Sequence, residues 1–387
     1  MWQKLRAVAL RELGIWIRRP IYLVGSVLVL GFCTLFYLSF FHAGVPTDLP
    51  IAVVDLDGTS LSRNFIRQLD ATQLGSVRRF ETFPEARAEM QAGRVTAVCV
   101  LPKGFLADVN AQRQPRITFY INGLYFVGGS LAWKDLLQMV NLTSGAVQRE
   151  VLRQKGLNDR AISGQIRPVD IDVHQIGNAT MNYGAYISNI MLPGVLEMII
   201  VILVIYSLGT ELKYGTSRHL LEKAGHDIVA AVLGKLLVYT LLFTALGLSL
   251  VLIFYRFLHF PFAGSIWSMA LGMFLFVLAC EAVAVTIIGL VPVLRFALSI
   301  GALYSVLGFS LAGFTLPIEA MPAPFTGLAA IYPLRAYYLF YVQEGIYANG
   351  FAGWYPQVIH LLVFLLLPLL SLGRLQHAYI YQDYERN

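Results

Sequence analysis

The sequence predicts an α-helical polytopic membrane protein with six transmembrane helices and a mixed α/β domain inserted between the first and the second. Two observations carry that prediction. Of 387 residues, 57% are hydrophobic and only 13% charged, with a mean hydropathy of +0.63; an average soluble domain is about a quarter charged. A chain so apolar must place much of its surface in lipid. The composition is also uneven: charges spread through residues 42–182, while apolar runs of bilayer length lie on either side. The chain therefore divides into residues 1–20, 21–41, 42–182 and 183–387.

Residues 1–20, MWQKLRAVALRELGIWIRRP, mix charge and bulk at near-helical spacing. Trp2, Leu5, Ala9, Leu13 and Trp16 share a helical face, with Lys4, Arg6, Arg11 and Arg18 mostly elsewhere. The pattern fits an amphipathic helix in the cytoplasmic interface; the plainer alternative is a basic flank that only orients the first span. Pro20 marks the turn into that span. No small-residue cleavage site follows the run, so it reads as a retained anchor and not a signal peptide.

In residues 42–182, Ile51–Asp55, Val95–Leu101 and Ile117–Ile121 are apolar, β-branched runs of strand length. LSRNFIRQLD and PEARAEMQAG read as short helices, the second opened by Pro84 and closed by Gly93. A longer helix is expected over roughly 130–155, and an extended piece, PVDIDVHQI, after it. The turn "DLDGT", Asp55 to Thr59, has the form of a phosphatase nucleophile loop. That chemistry needs a second strand ending in Ser or Thr, a Lys, and paired acids for magnesium. No such set follows, so Asp55 is read as closing a strand, with Asp57 or Thr59 capping the helix near Ser60.

Further spans are expected near Tyr183–Leu208, Val229–Phe257, Ile266–Leu290, Leu294–Phe314 and Val358–Leu372. Lys and Arg cluster in the amino-terminal flank and in the loop after the second span, where Lys213, Arg218 and Lys223 stand. By the positive-inside rule those segments and both termini are cytoplasmic, and the large domain faces outward. Cys33, Cys99 and Cys280 offer no disulfide framework and read as small core hydrophobes.

Polar residues within this apolar frame are the candidate functional ones. TELKYGTSRHLLEKAGHD holds a Gly215–Thr216 break and a short amphipathic helix with Leu220 and Leu221 on its apolar side, which Thr216 or Ser217 can cap. A solvated polar loop is the bland reading. Glu197 and Glu281 fall inside spans, at a cost of a few kcal/mol in lipid. They either line a substrate path or subunit seam, or pair with a neighbouring span, for example at Tyr206 or Tyr304. In residues 315–355, Pro317, Pro322, Pro324 and Pro333 break any full crossing, and Glu319, Arg335 and Glu344 are too polar for lipid. Two short helices dipping in from outside satisfy both constraints; Tyr332, Tyr337, Tyr338, Tyr341 and Tyr347 read as an interfacial belt. No G-x-x-x-x-G-K-[ST] loop occurs, since Gly234–Lys235 runs into leucines. No basic stripe interleaved with aromatics suggests nucleic acid.

With these residues in hand, nearly the whole chain resembles the permease subunits of type-2 ATP-binding-cassette (ABC) exporters with a large extracytoplasmic domain. "IAVVDLDGTSLSRNFIRQLD" and "EARAEMQAGRVTAVCVLPKGF" resemble pieces of that domain. "LPGVLEMIIVILVIYSLGTELKYGTSRHLL" is similar to the family's second span and coupling helix, and "FTLPIEAMP" with "YPLRAYYLFYVQEGIY" to its re-entrant outer segment. The resemblance implies the ABC type-2 transporter permease fold, with the coupling helix near 211–225 and the outer segment near 315–355. Glu211, Gly215, Thr216 and Leu220 match the family's E-x-x-x-G-T-x-x-x-L pattern at the ATPase contact. The chain departs from it at Lys223–Ala224–Gly225–His226, where a Thr–Pro-like stop is common. Pro317, Glu319, Pro333 and Arg335 fall in the outer gate.

By the same resemblance the chain is a subunit without its own catalytic site or cofactor. ATP and Mg sit on a cytosolic ABC ATPase subunit present in two copies. A second permease subunit completes a homodimer or heterodimer, membrane lipids surround it, and a periplasmic adaptor is a further partner. The implied setting is the bacterial inner membrane, and the implied cargo a drug, lipid or other amphiphile moved outward. The reading of a different class is a membrane-anchored sensor or enzyme whose activity lies in the outer α/β domain.

Overall fold

The computed structural model describes residues 1–381 except 43, 45–46, 73–74, 112, 124–125, 159–176, 179–181, 315 and 318–319. The expected extended piece PVDIDVHQI and the candidate gate residue Glu319 lie outside the described residues. The chain divides into two compact units, one of residues 1–44 with 175–387 and one of residues 45–174.

The smaller unit is built on four strands: β1 (Leu49–Asp55), β2 (Gly75–Phe80), β3 (Ala97–Leu101) and β4 (Thr118–Ile121), in the order β2-β1-β3-β4. β1 runs parallel to β2 and β3, with Ile51 opposite Ala97, and β4 runs antiparallel to β3. Parallel neighbours need crossovers. Here these are α3 (Ser60–Asp70) between β1 and β2, and α4 (Phe83–Gln91) between β2 and β3. Alternation along β1 sends Ile51 and Val53 to one face with Phe65, Leu69 and Leu136, and Ala52 and Val54 to the other with Ala86. After β3 come α5 (Phe105–Asn110) and, beyond β4, the long α6 (Phe126–Gln154). Strand β2 was not expected, because adjacent Arg78 and Arg79 hide its apolar alternation; charge suits an edge strand, where it discourages pairing with other chains.

The turn after β1 refines the expected punctuation. Thr59 is the cap, its hydroxyl accepting from Ser62 N at 3.3 Å. Asp55 closes the turn on itself, accepting from Asp57 N at 3.1 Å, Gly58 N at 3.0 Å and the Ser62 hydroxyl at 2.9 Å. Asp57 instead reaches the start of α5, the helix after β3, accepting from Thr59 Oγ1 at 2.6 Å and from Leu106 N at 3.2 Å. Both carboxylates are thus committed to local geometry.

The larger unit begins with α1 (Trp2–Arg18) and α2 (Pro20–Phe40). Between them Arg19 is extended and Pro20 opens α2, a position where its missing N–H costs nothing. Then follow α7 (Tyr183–Lys213), α8 (Ser217–Lys223), α9 (Ile228–Phe257), α10 (Ile266–Leu290), α11 (Leu294–Leu311), α12 (Ala323–Ala329), α13 (Pro333–Tyr341), α14 (Gly350–Phe364) and α15 (Leu372–Tyr381). Among the described residues, six helical segments are long and apolar enough to cross a membrane: α2, α7, α9, α10, α11 and the stretch Gly350–Tyr381.

Helices α7 and α10 are buried on most faces and form the centre of this unit. Small residues permit the packing: a Cβ at Gly194 of α7 would fall 2.3 Å from the Phe309 ring of α11, and one at Gly301 of α11 2.7 Å from Ile205. Between apolar helices such close backbone approach gains dispersion energy where burial alone gains little. Helix α1 also turns a charged residue inward. Val8 and Glu12 are its buried residues and lie against α9, whereas Trp2, Leu10 and Leu13 are exposed.

Candidate functional site

Helix α7 stops where it does because Gly215 takes φ +68°, a left-handed conformation that terminates helices and suits glycine. The chain turns into α8 and then through Gly225 to Asp227, whose carboxylate caps α9 by accepting from Val229 N at 2.9 Å and Ala230 N at 3.3 Å. On α8, Leu220 and Leu221 are buried while Arg218, His219, Glu222 and Lys223 are exposed. The helix is also tied to the carboxy-terminal segment: Ser217 Oγ donates to Tyr379 O at 2.9 Å and Arg218 Nε to Ile380 O at 3.0 Å.

Beneath this loop lies a cluster of four charges drawn from three helices. Lys235 of α9 is buried, its Nζ 2.5 Å from Glu12 Oε2 and 2.8 Å from Glu211 Oε1. Arg11 grips Glu211 with two hydrogen bonds of 2.7 and 2.9 Å, a bidentate geometry that fixes both partners. Glu12 also accepts from Ser207 Oγ at 2.7 Å and Tyr239 OH at 2.8 Å. Thr216 Oγ1 donates to Glu211 Oε2 at 2.5 Å. Two cations and two anions balance, and each oxygen of both carboxylates has a partner. That satisfaction is what lets charges be buried at all. A close approach admits α1 to the cluster: a Cβ at Gly234 would lie 2.7 Å from Val8 Cβ.

Among the sequence candidates, Gly215 and Thr216 are exposed at the loop, whereas Glu211 and Leu220 are enclosed. Neither Thr216 nor Ser217 caps α8 with its side chain, contrary to expectation; the two hydroxyls donate to Glu211 and to Tyr379 O instead. Sequence reasoning missed Glu12 and the role of Lys235. Their only signal was an acid on the supposed apolar side of α1 and a lysine in a run of leucines.

Glu197 and Glu281 are buried in α7 and α10. Glu281 Oε2 accepts from Thr240 Oγ1 of α9 at 2.6 Å, and its other oxygen has no partner among the described residues; neither oxygen of Glu197 has one. The suggested tyrosine partners are engaged elsewhere: Tyr304 donates to Ile331 O, and the Tyr206 ring lies edge-on to Tyr22.

In the Pro-rich segment the two short helices are α12 and α13. Pro333 occupies the first turn of α13, and Arg335 Nη1 donates to Ala312 O, at the end of α11, at 3.2 Å. Pro317 is exposed in the preceding loop. Glu344 Oε1 accepts from Ser265 N at 2.8 Å, holding the start of α10. The tyrosine belt needs correction. Tyr332, Tyr337 and Tyr341 are buried among the helices, and only Tyr347 is well exposed.

The sequence profile of a family described as ABC-2 family transporter protein matches residues 21–372. No curated protein matches the chain.

Proposed function

The chain belongs to the ABC-2 family of transporter proteins, and from that premise we propose that it is the permease subunit of an ATP-driven exporter. ATP binds and is hydrolysed on a separate ATPase subunit, two copies of which serve two permease subunits. The chain moves an amphiphilic cargo from the cytoplasm or inner leaflet of the bacterial inner membrane outward. Residues 211–225 are the ATPase contact, with both termini on the same cytoplasmic side.

The observation that carries this reading is the buried cluster of Arg11, Glu12, Glu211 and Lys235. A lever pressed by a motor must pass displacement on without bending. Side chains locked by charge-assisted bonds across three helices do so, because moving any one breaks a satisfied set of buried charges. The exposed surface offered to the ATPase is then Gly215, Thr216 and the polar side of α8, while Glu211 and Leu220 act from below by holding that surface in place. Pro333 and Arg335, joined to the end of α11, belong with Pro317 and Glu319 to the outer gate. Glu197 and Glu281 line the pathway or the subunit seam.

The test is co-purification from the native membrane followed by transport in inverted vesicles. An ATPase subunit should copurify, and vesicles should accumulate an amphiphilic dye only with hydrolysable ATP. Persistent absence of an ATPase, with no nucleotide dependence, would overturn the proposal.

A further inference from the structure

The smaller unit contains a groove of about 1050 Å³. It runs between α6, α3, α5 and the segment 113–119 that leads into β4. Its volume is at the upper end of small-molecule sites, about 300–1,000 Å³. The floor is apolar: Phe65 and Phe105 are buried, Phe119 and Val140 half-buried, and Trp133 and Leu137 stand 52% and 45% exposed along α6. An aromatic and a leucine left open to water on one side of a helix cost free energy unless something covers them.

Charge identifies what would cover them. Among the described residues, Arg113, Arg116 and Lys155 line the groove, and no carboxylate does. Arg113 Nε is 3.1 Å from Asp108 Oδ1, which leaves Arg116 and Lys155 as the cations not drawn toward an acid there. Neutral hydrogen-bonding groups, Gln114, Thr143 and Ser144, complete the lining. A long apolar floor with cations and no anions is complementary to one kind of small molecule, an acyl chain with a negative head.

We propose that this groove is a binding site for a single-chain fatty acid, the chain lying along Phe105, Phe119 and Leu137 and the carboxylate meeting Arg116 and Lys155. Such binding needs neither ATP nor the coupling loop, so it stands or falls apart from the transport reading. A peptide strand added to the edge of β4 that no described strand pairs is the competing occupant; it would pair through backbone groups and be indifferent to head-group charge.

The full chain in lipid nanodiscs, exposed to a diazirine-bearing lauric acid and irradiated, gives the test. Labelling is expected in peptides covering 113–119 and 133–148. Excess lauric acid should reduce it at least tenfold and dodecyltrimethylammonium should not. The Arg116→Glu variant, an exposed position that leaves the sheet intact, should lose labelling at least tenfold with an unchanged melting temperature, and Arg116→Lys should restore it. Labelling confined to the membrane helices would overturn the proposal. So would equal competition by the cationic amphiphile, or labelling indifferent to Arg116→Glu.

Discussion

Lys235 Nζ lies 2.5 Å from Glu12 Oε2, although 223 residues separate the two in the chain. With Glu211 on the lysine's other side, α1, α7 and α9 meet at one ammonium group. Helix α1 is thereby tied to α7 and α9 through side chains buried between them.

Removing that ammonium strands a buried carboxylate. Lys235→Met should cost about 3–5 kcal/mol, read as a large fall in the thermal unfolding midpoint of the purified chain. The double variant Glu12→Leu with Lys235→Met should recover much of the loss, since Arg11 still neutralises Glu211. Equal midpoints for the single and double variants would show that the cluster is not what holds these helices.

Gly215→Val places a β-branched side chain at φ +68°, a strain of about 1–2 kcal/mol. Under the proposed function, ATP-dependent transport should fall sharply while ATPase binding persists. Leu220→Asp is a poor probe of the same contact, because Leu220 is fully buried and its charging would disrupt packing before it reports on coupling. Unimpaired transport by Gly215→Val would remove this loop from the coupling path.

Glu222→Arg reverses a charge on the exposed side of α8, where Glu222 sits 3.7 Å from His219 in a solvent-facing pair. Exposed pairs contribute about 0–1 kcal/mol, so folding should be unaffected. The yield of copurified ATPase should drop several-fold. A variant that binds the ATPase normally would place the contact elsewhere.

Glu197→Leu should leave the unfolding midpoint unchanged or raise it, because a carboxyl with no hydrogen-bond partner among the described residues gains nothing from its polarity in the folded state. If Glu197 lines the pathway, export should be lost while ATPase association remains. Normal export in this well-folded variant would retire that role.

The hydrogen bond from Thr59 holds the Asp57 carboxyl below its usual range, with the Leu106 amide adding to the effect. A group depressed in the folded state stabilises above its unfolded pKa, about 3.9, and loses that contribution as pH falls through the lower folded value. Protection of the Leu106 amide from hydrogen exchange should therefore weaken below about pH 4. Asp57→Asn should show no such acid limb; identical behaviour of the two proteins would refute the linkage between these loops.

Much of this was readable in advance for local reasons. Bilayer-length apolar runs announced α2, α7, α9, α10 and α11, because a span must satisfy its backbone within itself and so writes its length into consecutive residues. The glycine that ends α7 and the threonine that starts α3 were legible for the same reason, each acting on its own few peptide units. Strand β2 was not, since its pairing with β1 outweighs a sequence of adjacent arginines. Nor were the buried tyrosines of α13, whose environment is supplied by α10 and α14.

Composition and periodicity alone determined that this chain is a six-span membrane protein with an inserted α/β domain and a short polar loop after the second span. Which charges meet was decided only by the fold. Glu12 on α1 and Lys235 among leucines each look unfavourable to bury singly, and their cost is offset only as a pair brought together by helices far apart in the chain. Electrostatic energy depends on distance and on exclusion of water, and neither exists until the helices have packed.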